Sequence, residues 1–397
     1  MPYKILQITN KPPFPEVDGG SLGIAKMSKF YANHSKFKLS IFATETHKHP
    51  LDKKAIQNSL PKETPFDCVF IDTKPTWLGA IKAIFNNKSY NMTRFNQNAV
   101  SRKLTELLSE NEYDFVQFEN IFVAQYYPLI KKLSKAKMVL NSANVEYEIW
   151  ERLSCKSSFL KRIYFSKLAK QLKKEEEQIW NSMDAIICAT DKDKRTIEIE
   201  TNSKNLITVP FYLDNKKYIP KYKKSINEVS FFHLGAMDWL PNVEGIEWFI
   251  DSVWSKISQP KQLFIAGKSM PKPLLNIPDF TIVCEGFVPD AKEYMLEHDV
   301  MIVPLHSGSG IRVKIIEAMA LGKCIISTSV GLEGIEYTEG KNVLIANSAD
   351  EFVSQINKLS SNPPMIKQIG EEAKKLALSH YDITNMEKVL VPFLSSL

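Results

Sequence analysis

No run of apolar residues in this chain approaches the roughly 20 needed to cross a bilayer, so a membrane-spanning helix is not expected. Cysteine is scarce. The five present, Cys68, Cys155, Cys188, Cys284 and Cys324, form no close pairs and no cysteine–histidine cluster with metal-ligand spacing. A disulfide framework and a zinc site are therefore both unexpected. Cys68, Cys188, Cys284 and Cys324 lie in or beside apolar runs and read as buried thiols in a reducing compartment. Charge of one sign is not dominant either, because 51 basic against 45 acidic residues leave +6 over 397 residues. That excess favours phosphates or an anionic membrane surface without requiring a nucleic-acid partner. The lysines are dispersed and no nucleic-acid recognition motif appears. No signal-peptide pattern opens the chain, since "KILQIT" is short and runs into "NKPPFP". A cytoplasmic protein is the expectation, with peripheral contact at the inner face of a membrane left open.

What the sequence does have is alternation. Strand-like runs stand at 4–9, 38–44, 67–72, 114–119, 137–142, 184–190 and 205–210, and again at 229–235, 261–267, 280–286, 299–305, 323–329 and 342–347. Helical patterns such as 96–111 and 158–181 separate them. Short apolar strands alternating with helices predict parallel sheets covered on both faces. Two such series predict an α/β protein of two Rossmann-like, doubly wound domains. The expected division is 1–213, then 214–378, with 379–397 a helical segment returning to the first domain. The lysine-rich stretch 212–228 reads as a solvated linker, and Pro392 is expected to bend or end the last helix.

The densest chemistry lies in "PLHSGSGIRVKIIEAMALGK", 304–323. A strand, a glycine-rich loop and a helix follow one another there. Glycines let backbone N–H groups approach an anion, and a helix N-terminus adds partial positive charge. Arg312 and Lys314 would add full charges. Glu317, in the second turn, is placed to accept hydrogen bonds from a ribose diol. The same residues also fit a surface turn followed by a solvated glutamate, and the pattern by itself does not choose.

"SGSGIRVKIIEAMALGK" resembles the donor-site signature of the retaining family 4 glycosyltransferases, whose GT-B fold sets two Rossmann-like domains facing across a cleft. The similarity extends over most of the chain. It implies that Glu317 holds the nucleoside ribose, and that the loop through His306, Ser309 and Gly310 holds the diphosphate. Lys314, Arg312 and Lys268 would carry the catalytic positive charge. Gly19 and Gly20 in "PPFPEVDGGSLGIAKM" would admit the donor phosphate at the opposite domain, or simply start a helix. Val288 in "CEGFVPD" would lie nearest the base, where an ordinary turn is the alternative. No metal or other cofactor is implied, because basic residues take the place of a divalent ion. The nucleotide sugar would be a co-substrate.

The chain also departs from that pattern. Many members place an arginine and a lysine where Met237 and Asn242 stand here. An acid common in the family is Ser309 in this chain. A histidine expected before "NVE" is Ala143, ahead of Asn144, Val145 and Glu146. Asn144, Glu146 and Glu119 are the acceptor-side candidates, with Asp18 a further carboxylate. Each also reads as structural or solvated. His233, inside an apolar strand, reads as a core histidine. The basic helix 157–180, with Leu160, Tyr164, Leu168 and Leu172 in one stripe, reads as packed by that stripe, with anionic lipid as the alternative partner. Trp77, Leu78, Ile81 and Phe85 add an apolar set among lysines.

The implied function is transfer of a sugar from a UDP- or GDP-sugar to a glycan, lipid-linked or protein-linked glycan acceptor, with retained anomeric configuration. The rival is a catalytically weak or inactive nucleotide-sugar-binding subunit that stabilises or regulates a partner glycosyltransferase. A sugar-nucleotide epimerase is a further alternative, but it would need acid–base residues that the sequence does not display.

Overall fold

A computed structural model describes residues 1–203, 205–218, 229–257, 261–308 and 310–397. The chain divides into two compact units, Met1–Val209 with Phe393–Leu397, and Pro210–Pro392. The expected boundary after residue 213 lies close to this division, and of the expected returning segment only the last five residues are grouped with unit 1.

Unit 1 is built on seven parallel strands: β1 (Tyr3–Thr9), β2 (Phe37–Glu45), β3 (Phe66–Phe70), β4 (Phe115–Phe118), β5 (Lys137–Ser142), β6 (Ala185–Cys188) and β7 (Leu206–Thr208). Their order is β3-β2-β1-β4-β5-β6-β7. Unit 2 holds six: β8 (Ser230–Leu234), β9 (Gln262–Ala266), β10 (Ile282–Gly286), β11 (Val300–Val303), β12 (Cys324–Ser327) and β13 (Leu344–Ile345), in the order β10-β9-β8-β11-β12-β13. All pairings between these strands are parallel. All thirteen apolar runs read from the sequence are strands.

The two-residue period of a strand explains why these runs are apolar throughout. In unit 2, Phe232, Leu234, Ala266, Met301, Val303 and Ile325 enter one core, while Phe231, Leu263, Ile265, Val300, Ile302, Cys324 and Ile326 enter the other. Neighbouring residues therefore face opposite sides of a sheet buried on both. Cys188 and Cys324 are fully buried, and burial pushes both thiols up to about 12. Cys68 and Cys284 are only partly buried, which corrects the expectation for those two.

Three further expectations need correction. The stretch 212–228 is not simply a solvated linker: Tyr212, Leu213 and Tyr218 are buried. Leu213 donates its N–H to the Tyr381 carbonyl at 2.6 Å and accepts from Ile383 at 2.8 Å. Residues 219–228 of that stretch lie outside the described residues. Of the two outcomes expected at Pro392, a bend or an end, the helix Ile383–Ser395 does not end there. A proline removes one helical hydrogen bond, but burial of Leu390, Val391 and Leu394 retains the final turn. In the helix Phe159–Trp180, Leu168 and Leu172 are buried, whereas Leu160 at the start of the same stripe is exposed.

The Glu317-bearing helix, Val313–Ala320, is followed by Gly322 at φ +75°, a conformation that favours glycine. The helix Pro363–His380 crosses this turn at Gly370, where a Cβ would lie 2.1 Å from the Gly322 carbonyl oxygen. Neither partner atom is a flexible side chain. Gly370→Ala is accordingly expected to cost about 1–3 kcal/mol and to lower Tm by several degrees. Gly19→Ala, whose Cβ would meet open space, should leave Tm nearly unchanged in the same thermal unfolding measurement.

Candidate functional site

The loops after β8, β9, β10 and β11 leave the carboxyl edge of one parallel sheet, the edge at which such sheets bind ligands. After β11 the chain passes Gly308 at φ +113° and Gly310 at φ +78°, both in the left-handed region. A Cβ on Gly308 would stand 2.8 Å from the Arg312 guanidinium and equally near the Trp239 ring. Arg312 donates to the Gly310 carbonyl and lies over Trp239, 5.3 Å from the ring centroid. Arg312 thus clamps its own loop, with Trp239 supplied by the loop after β8. Asp238, one residue earlier, pairs with Lys268 at 3.5 Å, and Met237 donates its N–H to the Lys268 carbonyl at 2.9 Å. The β8 loop in this way ties the Lys268 segment to the Arg312 segment.

Glu317 is 5% exposed and is held from two sides. Oε1 accepts from the Tyr218 hydroxyl at 2.6 Å, and Oε2 from Lys314 Nζ at 2.9 Å. Lys314 is far more exposed than its partner. No side chain caps the helix that begins at Val313, among the described residues. Val288 is partly buried against the core of unit 2, just before the helix Ala291–Glu297. His306 packs edge-to-face on Trp248, with ring centroids 4.3 Å apart. Ser309 lies outside the described residues. Met237 is buried in the core, and Asn242 donates to the Ala236 carbonyl at 2.9 Å, so both positions serve the loop rather than presenting charge. His233 is buried with Nδ1 on the Ile302 carbonyl at 2.9 Å, and burial lowers its pKa, in keeping with a core histidine.

In unit 1, Gly19 and Gly20 open the helix Gly19–Asn33, which Asp18 caps by accepting from the Ser21 N–H at 2.8 Å. Lys11 at 2.9 Å and His49 at 3.0 Å contact the same carboxylate. Burial alone would raise the Asp18 pKa, but the His49 and Lys11 interactions hold it well below the usual carboxylate range. Glu119 accepts from Gln7 at 2.6 Å, Gln117 at 2.7 Å and Asn141 at 2.7 Å. Tyr31 and Ser28 extend this network into the helix above. Burial raises the Glu119 pKa against those three hydrogen bonds. This carboxylate, an acceptor-side candidate, has both oxygens engaged inside unit 1. Ala143, by contrast, is exposed after β5.

Asn144 Nδ2 makes a distant 3.5 Å contact with Glu146 at the start of the helix Glu146–Lys156. The amides of Glu146 and Tyr147 donate to Glu176 at 2.9 and 2.8 Å. Glu176 is fully buried. Burial and the nearby Glu146 charge raise its pKa, although the two amides favour its ionised form. Sequence reasoning missed Tyr218, Trp239 and Glu176. For Glu176 a signal existed: it falls four residues after Leu172 and three before Ile179, on the apolar stripe of its helix. Tyr218 and Trp239 carried no local signal.

Residues 228–362 match the family model of the glycosyl transferases group 1. Over 398 aligned residues, the chain is 24% identical to an uncharacterized 44.6 kDa protein in the cps region of Klebsiella pneumoniae, with 96% of each chain covered. Its fold is similar to Anabaena Alr3699/HepE in complex with UDP-glucose, with TM-score 0.70 at 14% identity and all of both chains covered. It is also similar to sucrose-phosphate synthase from Thermosynechococcus elongatus, with TM-score 0.76 at 13% identity, covering 99% of this chain and 98% of that one. The fold is therefore GT-B: two parallel-sheet α/β units, the second of which holds the residues that match the glycosyl transferases group 1 model.

Glu146, at the start of its helix, makes stability depend on pH. Burial pushes the Glu146 carboxyl up to about 7, while the Asn144 amide pulls the other way. A raised folded-state pKa stabilises the fold below the unfolded value, and that contribution disappears as pH rises through about 7. Glu146→Gln should therefore gain stability relative to the natural chain between about pH 5 and 8. A Tm difference that stays flat over this range would mean that Glu146 titrates normally.

Proposed function

We propose that this protein is a retaining glycosyltransferase that moves a sugar from a UDP- or GDP-sugar to a glycan or lipid-linked acceptor. The observation that carries this reading is Glu317. It is a buried carboxylate directly behind the glycine loop, in the region that matches the glycosyl transferases group 1. Its oxygens suit the vicinal hydroxyls of a ribose, and the helix start, without a side-chain cap among the described residues, suits a diphosphate. Lys314, exposed beside it, and Lys268 after β9 are the cations for that diphosphate. Arg312 would act mainly by holding the loop through Trp239.

In the reaction the bond from the sugar anomeric carbon to the β-phosphate oxygen breaks, and a bond to the acceptor hydroxyl oxygen forms on the same face. The acceptor proton passes to the departing phosphate. Catalysis then rests on positioning and on stabilising charge that grows on the leaving group. No protein base is required by this route, which accommodates the exposed Ala143. That same alanine supports the second reading, a nucleotide-sugar-binding subunit with little or no activity of its own. Single-turnover transfer by the purified chain separates the two, since tight donor binding without transfer would favour the subunit.

A lipid-linked acceptor is supported by the surface of unit 1. Trp77 and Phe85 in the helix Trp77–Phe85 are 72% and 84% exposed, with Leu78 and Ile81 exposed beside them. Phe159, Leu160 and Ile163 are exposed at the start of the basic helix Phe159–Trp180. The two helices are linked, because Tyr90 accepts from Thr76 at 2.6 Å and Ser89 donates to Glu175 at 3.0 Å. Neither 74–90 nor 159–174 contains an acid. Two copies of this face would repel each other, whereas anionic lipid headgroups complement it.

The donor reading is checked by a thermal-shift screen over UDP-, GDP- and ADP-sugars. A donor at a hundred times its Kd should stabilise the natural chain by about 2.7 kcal/mol. Glu317→Ala should lose most of that shift while remaining folded, and an undiminished shift would count against the assignment. For the acceptor side, co-sedimentation with phosphatidylglycerol vesicles should exceed that with phosphatidylcholine vesicles. It should fall several-fold in the Trp77→Ala, Phe85→Ala double variant, and equal binding to both vesicles would remove the lipid argument.

A further inference from the structure

We infer that Tyr218 is a positioning residue for nucleoside recognition: it fixes the plane of the Glu317 carboxylate so that one oxygen is presented to the ribose. This rests on the reading of Glu317 as the ribose ligand. The two groups that hold Glu317 differ in kind. Tyr218 is 6% exposed, closes the short helix Asn215–Tyr218 and belongs to the core of unit 2. Its hydroxyl reaches Oε1 at 2.6 Å from 99 residues away in the chain. Lys314 reaches Oε2 at 2.9 Å on a side chain that is 41% exposed.

The Tyr218 contact is anchored on several sides. Asn215 in the same turn donates to the Leu378 carbonyl at 3.0 Å and to Asp382. Leu213 is bonded through its backbone to Tyr381 and Ile383. Lys292 lies over the Tyr218 ring, 5.3 Å from its centroid, and brings in the helix that follows Val288. The tyrosine therefore joins the turn at 215–218, the Glu317 helix and the segment after β10.

A solvent-facing ammonium exchanges partners readily, whereas a buried hydroxyl on a tethered turn does not. When a nucleoside diphosphate binds, Lys314 can pass from Oε2 to a phosphate oxygen, and a ribose hydroxyl can take its place. A carboxylate has about four acceptor positions, so Tyr218 can retain its bond throughout. Without the tyrosine hydroxyl the carboxylate is free to turn toward Lys314, and the diol meets an acceptor in the wrong orientation.

The test is calorimetric titration of UDP and GDP, each beside its 2′-deoxy and 3′-deoxy counterparts, into the natural chain, Tyr218→Phe and Glu317→Gln. The natural chain is expected to prefer the ribonucleotide. Tyr218→Phe should weaken ribonucleotide binding roughly ten-fold, the scale of one hydrogen bond to a charged group. It should leave the deoxynucleotides nearly unaffected, so that the preference collapses. A purely structural tyrosine would weaken both alike. Should Tyr218→Phe fail to fold, Asn215→Ala loosens the turn and is expected to reduce the same preference several-fold. If the preference is lost in Glu317→Gln but intact in Tyr218→Phe, the Tyr218 assignment alone is overturned. A natural chain that binds ribo- and deoxynucleotides equally overturns the ribose reading of Glu317 and this inference with it.

Discussion

A carboxylate buried in an apolar helix face must be paired, because the desolvation of an isolated charge is too costly for a fold to bear. Glu317 meets that demand with a tyrosine hydroxyl on one oxygen and a lysine ammonium on the other. The turn at 215–218 and the helix Val313–Ala320 meet at these contacts. The helix Val313–Ala320 must start where the glycine loop ends, and the 215–218 turn must pack against it. The tail helices must then hold that turn through Leu213 and Asn215.

Arg312, Lys314 and Lys268 are not interchangeable. Arg312 has a planar group that stacks on Trp239 and reaches back to the Gly310 carbonyl, so its charge shapes the loop. Lys314 is a flexible point charge with one foot on Glu317 and solvent around the rest. Lys268 shares Asp238 with the loop after β8. One cation holds the loop, while the other two each pair with a carboxylate, Lys314 with Glu317 and Lys268 with Asp238.

Unit 1 uses buried polarity differently. Gln7 and Gln117 sit within otherwise apolar strands, and with Glu119, Asn141, Tyr31 and Ser28 they form a closed network between the sheet and the helix Gly19–Asn33. A satisfied network of this kind fixes one register of helix on sheet, because any other leaves polar atoms unpaired. Glu176 does the same for the Glu146 helix by taking two of its first amides. Ala143, exposed at the adjacent strand end, presents no functional group there.

The sheets, the glycine loop and the placement of Glu317 on a helix behind it were legible in the sequence alone. Each follows from local rules: two-residue alternation, the freedom of glycine at positive φ, and the spacing of apolar residues along one helix. The partners were not legible. That Tyr218 serves Glu317, that Trp239 holds Arg312, and that Glu119 is enclosed by three amides all depend on residues brought together from distant parts of the chain. Periodicity says which face a side chain takes, but only tertiary packing says what it meets there.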